Sequence, residues 1–406
     1  LVREPAVIHR LRYSPTPELA VPWKHLILLT LPLWIVCGAC LSLTARTVLH
    51  QGLVDVPGQT LAERLDETFR TFDGERPGVA VGVSRNGEVL YQAGHGLADL
   101  ESGRRIDPHT AFHIASVGKQ MTAAAVMMLV EQGKVRLDAP ASGYLKELRG
   151  WARGVTVRDL LRHTAGIPDT YQTLEEQGRT PTGLDALRLL ASWRRLDFEP
   201  GTQFLYSDSG YDILGVLIER VSHVSYPRFM AEHILRPSGM AESFVYDKAK
   251  LAEVKRALGY QRQFLGGWDL RDDSPLNLLY GSGGVYSTVA DLARYDRALF
   301  GGALLRPASL AEMLKPAVLA DGTVISYGFG WSVKTDETTG ERLYAHSGNW
   351  LGFTSFYLHF PKDGLAVVIL ANGSDVDAES LATATAGIFR AFGNPKVAPA
   401  HARAKD

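Results

Sequence analysis

The chain has 406 residues, 46% of them hydrophobic, which is enough to bury a large core in more than one structural lobe. A formal net charge of −1, with no long run of like charge, gives no pull toward nucleic acid or acidic surfaces. There is no low-complexity tract and no repeat at the periods of solenoid proteins, so those architectures are excluded.

The first predicted element is the uncharged stretch 26–43, preceded by Arg3, Arg10, Arg12 and Lys24. Its length is at the lower edge for a membrane span, and the basic flank favours an N-terminus held in the cytoplasm. We read residues 1–50 as an export signal or an N-terminal membrane anchor, which makes the protein periplasmic or membrane-anchored on the outer side. The alternative is a buried core helix, against which Pro32 stands at mid-segment. The two cysteines, Cys37 and Cys40, lie inside this stretch with no second ligand pair, so neither a metal nor another cofactor is expected.

Residues 60–73 read as a short amphipathic helix, with Thr60 and Glu63 as a capping box. Two β-prone runs, 79–83 and 89–91, flank Asn86-Gly87, a strong hairpin signal. From about 110 to 320 the patterns are mostly helical, broken by Gly and Pro. Two more strands are predicted at 353–360 and 365–370, joined by a turn at 361–364, and a last helix at 378–392. The fold class is therefore α+β. Both chain ends build one antiparallel sheet with flanking helices, and a mostly helical lobe is inserted between them. This domain is expected over 55–395, with 396–406 as a flexible tail. The cleft between sheet edge and lobe is the natural place for a site.

Three short motifs fall around that cleft. Ser116-Val117-Gly118-Lys119 precedes a helical pattern at 120–132, and residues three apart share one helix face. A serine at a helix start sits at the positive end of the macrodipole. A lysine beside it can take the serine proton only when neutral, a state favoured by burial or a nearby positive charge. Next comes the turn and aromatic loop at 200–211, which holds Tyr206, a candidate proton relay, and Asp208. Third, His346-Ser347-Gly348-Asn349 leads into a Gly-containing edge strand that lets substrate backbone approach. His346 can hold a substrate carboxylate or tune the relay, and the Asn349 N–H can donate to an oxyanion.

These motifs, in this order, resemble the serine β-lactamase and penicillin-binding protein superfamily, in its class C β-lactamase-like branch. The resemblance covers residues 60–392. It includes the segment 155–168, residues 211–215, and the Gly283-Gly284 segment to residue 292, where His163 and the two glycines read as structural. It implies that Ser116 is the nucleophile, Lys119 the base for acylation and Tyr206 an aid to proton transfer. The backbone N–H groups of Ser116 and Asn349 then form the oxyanion hole, and Asp208, His346, Ser347 and Gly348 bind substrate. Asp208 stands where the family usually has Asn, and His346-Ser347-Gly348 where β-lactamases have Lys-Thr-Gly. The cation that pairs with an antibiotic carboxylate is missing. The expected activity is thus a serine hydrolase of esters or D-amino-acid-containing peptides, working through an acyl-enzyme. The alternatives are a β-lactamase or DD-peptidase, and a non-catalytic module that binds peptidoglycan fragments.

Overall fold

The computed structural model describes residues 59–336 and 339–393. The 26–43 stretch, both cysteines and the expected tail lie outside these residues. Among the described residues no helix is long and apolar enough to cross a membrane.

The first helix, α1 (Leu61–Phe69), starts where the capping box predicts: the Glu63 N–H donates to Thr60 Oγ1, and the Thr60 N–H to the Glu63 carboxylate. A single 3₁₀ turn, Arg70–Phe72, ends it. Strands β1 (Val79–Arg85) and β2 (Glu88–His95) then form a hairpin across Asn86 (φ 50°) and Gly87 (φ 75°). Both turn residues are left-handed, the pairing that matches strand twist and explains the Asn-Gly choice.

The chain next builds a mostly helical region. Its helices include α2 (Lys119–Glu131), α3 (Val157–Arg162), α4 (Asp208–Ser222) and α5 (Val289–Phe300). Helix α2 is buried from Lys119 to Met127, so it has apolar neighbours on every side rather than one apolar stripe. Helix α4 begins three residues earlier than the 211 start of its hydrophobic pattern, because the Gly210 N–H donates to Ser207 Oγ and makes Ser207 the cap.

The chain then returns to the sheet with β3 (Ser332–Thr335), β4 (Arg342–Trp350), β5 (Phe353–Phe360) and β6 (Leu365–Ala371), and closes with α6 (Ala378–Ala391). The six strands are antiparallel in the order β3-β4-β5-β6-β1-β2. Strands from the two ends of the domain meet at the β6–β1 pair, where Val79 faces Ala371 and Arg85 faces Leu365.

Both faces of the sheet are covered. Val81, Val83 and Ile369 pack with Leu65 and Phe69 of α1 and Phe389 of α6. Ala80, Tyr357 and Val368 point the other way, toward Val289 and Leu292 of α5 and the core of the helical region. Helix α5 comes close because Gly82 lies beneath it; a Cβ there would stand 2.9 Å from that of Val289. A buried polar clasp fixes the same contact: Asp296 accepts from the Tyr357 hydroxyl (2.5 Å) and from His359 Nδ1 (2.8 Å), and Phe300 stacks on His359.

Candidate active site

The nucleophile candidate sits on a 3₁₀ turn, Ala115–Gly118, that runs straight into α2. Ala115 just before it has φ 49°, a left-handed conformation costly for a residue with a side chain. Neighbours over-determine it. The Ala115 N–H donates to His113 Nδ1 (3.1 Å), and Ser355 Oγ of β5 donates to the Ile114 carbonyl (2.8 Å). Burial pushes His113 down to about 3, so its ring stays neutral and can accept. Two glycines allow backbone to meet backbone at the turn. A Cβ on Gly283 would lie 2.7 Å from the Ala115 carbonyl carbon, and one on Gly348 would lie 2.4 Å from the Ile114 oxygen. Of the Gly283-Gly284 pair, Gly283 abuts the nucleophile turn, while Gly284 abuts Tyr280.

Lys119, one turn on, is fully buried. Its Nζ lies 3.0 Å from Ser116 Oγ, 2.5 Å from Asp208 Oδ1 and 2.6 Å from the Ser282 carbonyl. Burial alone pushes the lysine pKa down, as the sequence reading requires. Tyr206 and the Asp208 carboxylate push it up and prevail, so the net direction is upward. The net shift runs away from the neutral amine that can accept a proton, and its causes are Tyr206 and Asp208, the latter standing where the family usually has Asn.

Tyr206 is 39% exposed, and its hydroxyl neighbours Ser116 and Lys119. Burial raises its pKa, Lys119 pulls it back, and Asp208 raises it again. The Lys119 Nζ lies 5.0 Å from the Tyr206 ring centre.

The structure brings Ser116, Asp208 and Asn349 to one cleft, which Tyr171, Leu276 and Trp350 also line. Asn349 belongs to the part of β4 beyond its pairing with β3, which stops at Ala345. Ser116 and Asn349 thus line the same space. Ser347 is exposed, and Gly348 abuts the nucleophile turn. Of the two tasks expected of His346, its setting disfavours the first, holding a carboxylate. It is buried, and burial and the Lys119 charge push it down to about 4. Its Nε2 faces the Tyr327 hydroxyl at 2.9 Å. A neutral, occupied imidazole offers no cation to a carboxylate.

Sequence reasoning missed Ser282, Tyr171, Trp350 and Tyr327. Ser282 is a hub: its carbonyl accepts from Lys119, its N–H donates to Asp212, and its hydroxyl bonds that of Tyr171 (2.6 Å). Asp212 is buried, and desolvation with the Asp208 charge pushes it up to about 7. Trp350 Nε1 donates to Asn277 (2.9 Å), which orients the indole beside the cleft. The only sequence signals were positional: Ser282 precedes the double glycine, Trp350 follows the third motif, and Tyr327 opens a run with Gly328 and Gly330. Among the described residues no group of His, Cys, Asp and Glu is arranged to hold a metal ion.

A serine joined to a buried lysine one helical turn away, with a tyrosine over both and a strand edge opposite, defines a serine hydrolase of the Ser-x-x-Lys type. Residues 61–388 match the family model described as Beta-lactamase, and the chain belongs to that family. It is 29% identical over 360 residues to Penicillin-binding protein 4* of Bacillus subtilis (strain 168), spanning 84% of this chain and 77% of that one. It is 27% identical to the octameric penicillin-binding protein homologue from Pyrococcus abyssi, with a TM-score of 0.71 over 83% of this chain and 77% of the other. The D-amino acid amidase from Ochrobactrum anthropi SV3 shares the fold at 23% identity and a TM-score of 0.68, over 85% of this chain and 99% of its own.

Proposed function

We propose that this serine hydrolase acts on esters or D-amino-acid-containing peptides, with Ser116 as the nucleophile. The observation that carries the reading is the 3.0 Å contact of Ser116 Oγ with Lys119 Nζ, under Tyr206 and beside Asn349. Ser116 Oγ bonds to the substrate carbonyl carbon, and the developing oxyanion meets the Ser116 and Asn349 N–H groups. The serine proton enters the Tyr206–Lys119 pair in the form that holds one proton fewer than the resting site. Tyr206 then passes a proton to the departing alcohol or amine as its bond to the carbonyl carbon breaks. Water attacks the acyl carbon and gives a proton to the Tyr206–Lys119 pair, the Ser116 ester bond breaks, and that proton passes to Ser116.

The charge of the cleft supports the substrate class. Asp208 brings a carboxylate, 34% of its side chain exposed, and His346 is neutral. No cation therefore waits at the third motif for an antibiotic carboxylate. The relatives named as penicillin-binding proteins favour a second reading, action on cell-wall peptides or β-lactams.

One panel separates the readings: a short-chain nitrophenyl ester, D-alanyl peptides and nitrocefin, each with wild type and Ser116→Ala. The expected result is ester or D-peptide turnover that Ser116→Ala abolishes, with fluorophosphonate labelling confined to Ser116. Nitrocefin as the preferred substrate would support the second reading. A folded protein that takes no label would indicate a non-catalytic binding module.

A further inference from the structure

Behind Tyr206, three buried side chains form one hydrogen-bonded chain whose proton positions are fixed. The Ser207 N–H donates to His163 Nδ1 (3.1 Å). A neutral imidazole that accepts at Nδ1 carries its proton on Nε2, and His163 Nε2 lies 3.2 Å from the Tyr327 oxygen. Tyr327 receives there, so its own proton points onward to His346 Nε2 at 2.9 Å. His346 then carries its proton on Nδ1 and donates to the Ser347 carbonyl at 2.7 Å. The Tyr211 hydroxyl, which donates to the Leu161 carbonyl, also neighbours Tyr327, but the Ser207 N–H and the Ser347 carbonyl still set the tautomer of each ring. A second proton on either ring would set donor against donor. His163 faces Tyr206, Tyr211 and Tyr327, with Lys119 and His346 as the nearby bases; His346 faces Tyr206 and Tyr327, with Lys119 and Asp208 as the nearby charges.

The two ends of the chain are the two halves of the site. His163 holds the backbone on both sides of Tyr206: its carbonyl accepts from the Leu205 N–H (3.0 Å) and its ring from Ser207. Its ring also lies 4.2 Å from that of Tyr206. His346 and Ser347 belong to β4, just before Asn349. Tyr327, itself buried, is the span between the loop of the proton relay and the strand of the oxyanion donor.

We propose that Tyr327 is a positioning residue whose hydroxyl, bonded to His163 and His346 at once, sets the placement of Tyr206 relative to the Asn349 N–H. The inference rests on the reading of Ser116, Tyr206 and Asn349 given above. Tyr327→Phe keeps the ring and removes both bonds, which leaves a buried donor and a buried acceptor unpaired. A misplacement well under 1 Å at the relay lowers turnover while ground-state contacts persist.

The full chain carrying Tyr327→Phe is expected to hydrolyse a nitrophenyl ester with kcat lower by about 10–100-fold and KM within about twofold. In the wild type, ¹⁵N spectra of labelled histidine are expected to show His163 as the Nε2–H tautomer and His346 as the Nδ1–H tautomer. The opposite tautomer at either ring overturns the proposal, whether or not the variant folds. So does a folded Tyr327→Phe protein with wild-type kcat, or one in which only KM changes. Ser116→Ala, run alongside, separates the two levels. If it retains turnover, the reading of the site fails; if it is inactive while Tyr327→Phe matches wild type, only the role of Tyr327 fails.

Discussion

Protonated Lys119 has three N–H bonds and meets Ser116 Oγ, Asp208 Oδ1 and the Ser282 carbonyl. It thus donates to Ser116, and the proposed mechanism therefore requires that one proton leave first. Because the folded pKa of Lys119 is raised, this loss is favoured as pH rises, so kcat/KM is expected to climb on the alkaline side. Asp208→Asn removes one of the two groups that raise it. The alkaline limb should then move to lower pH by about one unit or more; a profile that superimposes on wild type would mean that Asp208 does not govern the proton. Spacing and order singled out Ser116, Lys119 and Tyr206, which the structure brings together. They did not reveal the charge of Lys119, because that depends on Asp208 and Ser282, which arrive from distant parts of the chain. The same holds for His346, whose chemistry is decided by Tyr327 and by burial.

Among the elements, local signals were faithful wherever local physics decides. The capping box at Thr60, the Asn86-Gly87 hairpin, the 353–360 strand and the turn before β6 all stand where the residues put them. What was not legible is how elements from separate regions grip one another. The turn bearing Ser116 is held between Gly283 and Gly348 of β4, and neither sequence position announces its partner. Gly348→Ala tests the clamp. Its methyl group would lie 2.4 Å from both the Ile114 oxygen and Ser355 Oγ, and backbone on one side cannot yield cheaply. We expect a loss of ~1–3 kcal/mol in stability and roughly 100-fold in turnover. Equilibrium urea unfolding and ester kinetics read the two effects, and wild-type values in both would show that the contact relaxes freely.

Across the whole molecule, buried titratable groups set how stability responds to acid. His113 and His346 are held down to about 3 and about 4, and His163 well below its ordinary value, so all three stay neutral in the fold. Their folded pKa values lie below the unfolded value of about 6.5, so the unfolded chain binds more protons as pH falls. Their contribution is complete above about pH 6.5 and is lost toward pH 4. Asp212, pushed up to about 7, and Asp169, also raised by burial, act in the opposite sense. Three histidines against Asp212, the acid already pushed to about 7, leave the unfolded chain the stronger proton binder between pH 6 and 5, so stability falls as pH is lowered through that range. Urea midpoints across that range should fall accordingly, and His346→Gln should flatten the slope; a flat wild-type profile would contradict this balance. The α+β class and the sheet built from both ends of the domain were legible from strand and helix patterns. The response to acid was not, since it follows from which histidines the packing encloses.

The β1–β6 pair also sets a schedule for synthesis. Val79 leaves the ribosome roughly 290 residues before its partner Ala371, a delay of roughly 15–60 s at ~5–20 residues per second. During that time β1, which is buried almost end to end in the finished protein, has only β2 beside it. The nascent chain therefore carries an unmatched apolar strand edge until the last strand is made, a hazard that falls to chaperones rather than to any residue of the fold. The long helical region that shapes the cleft is the cause of that wait.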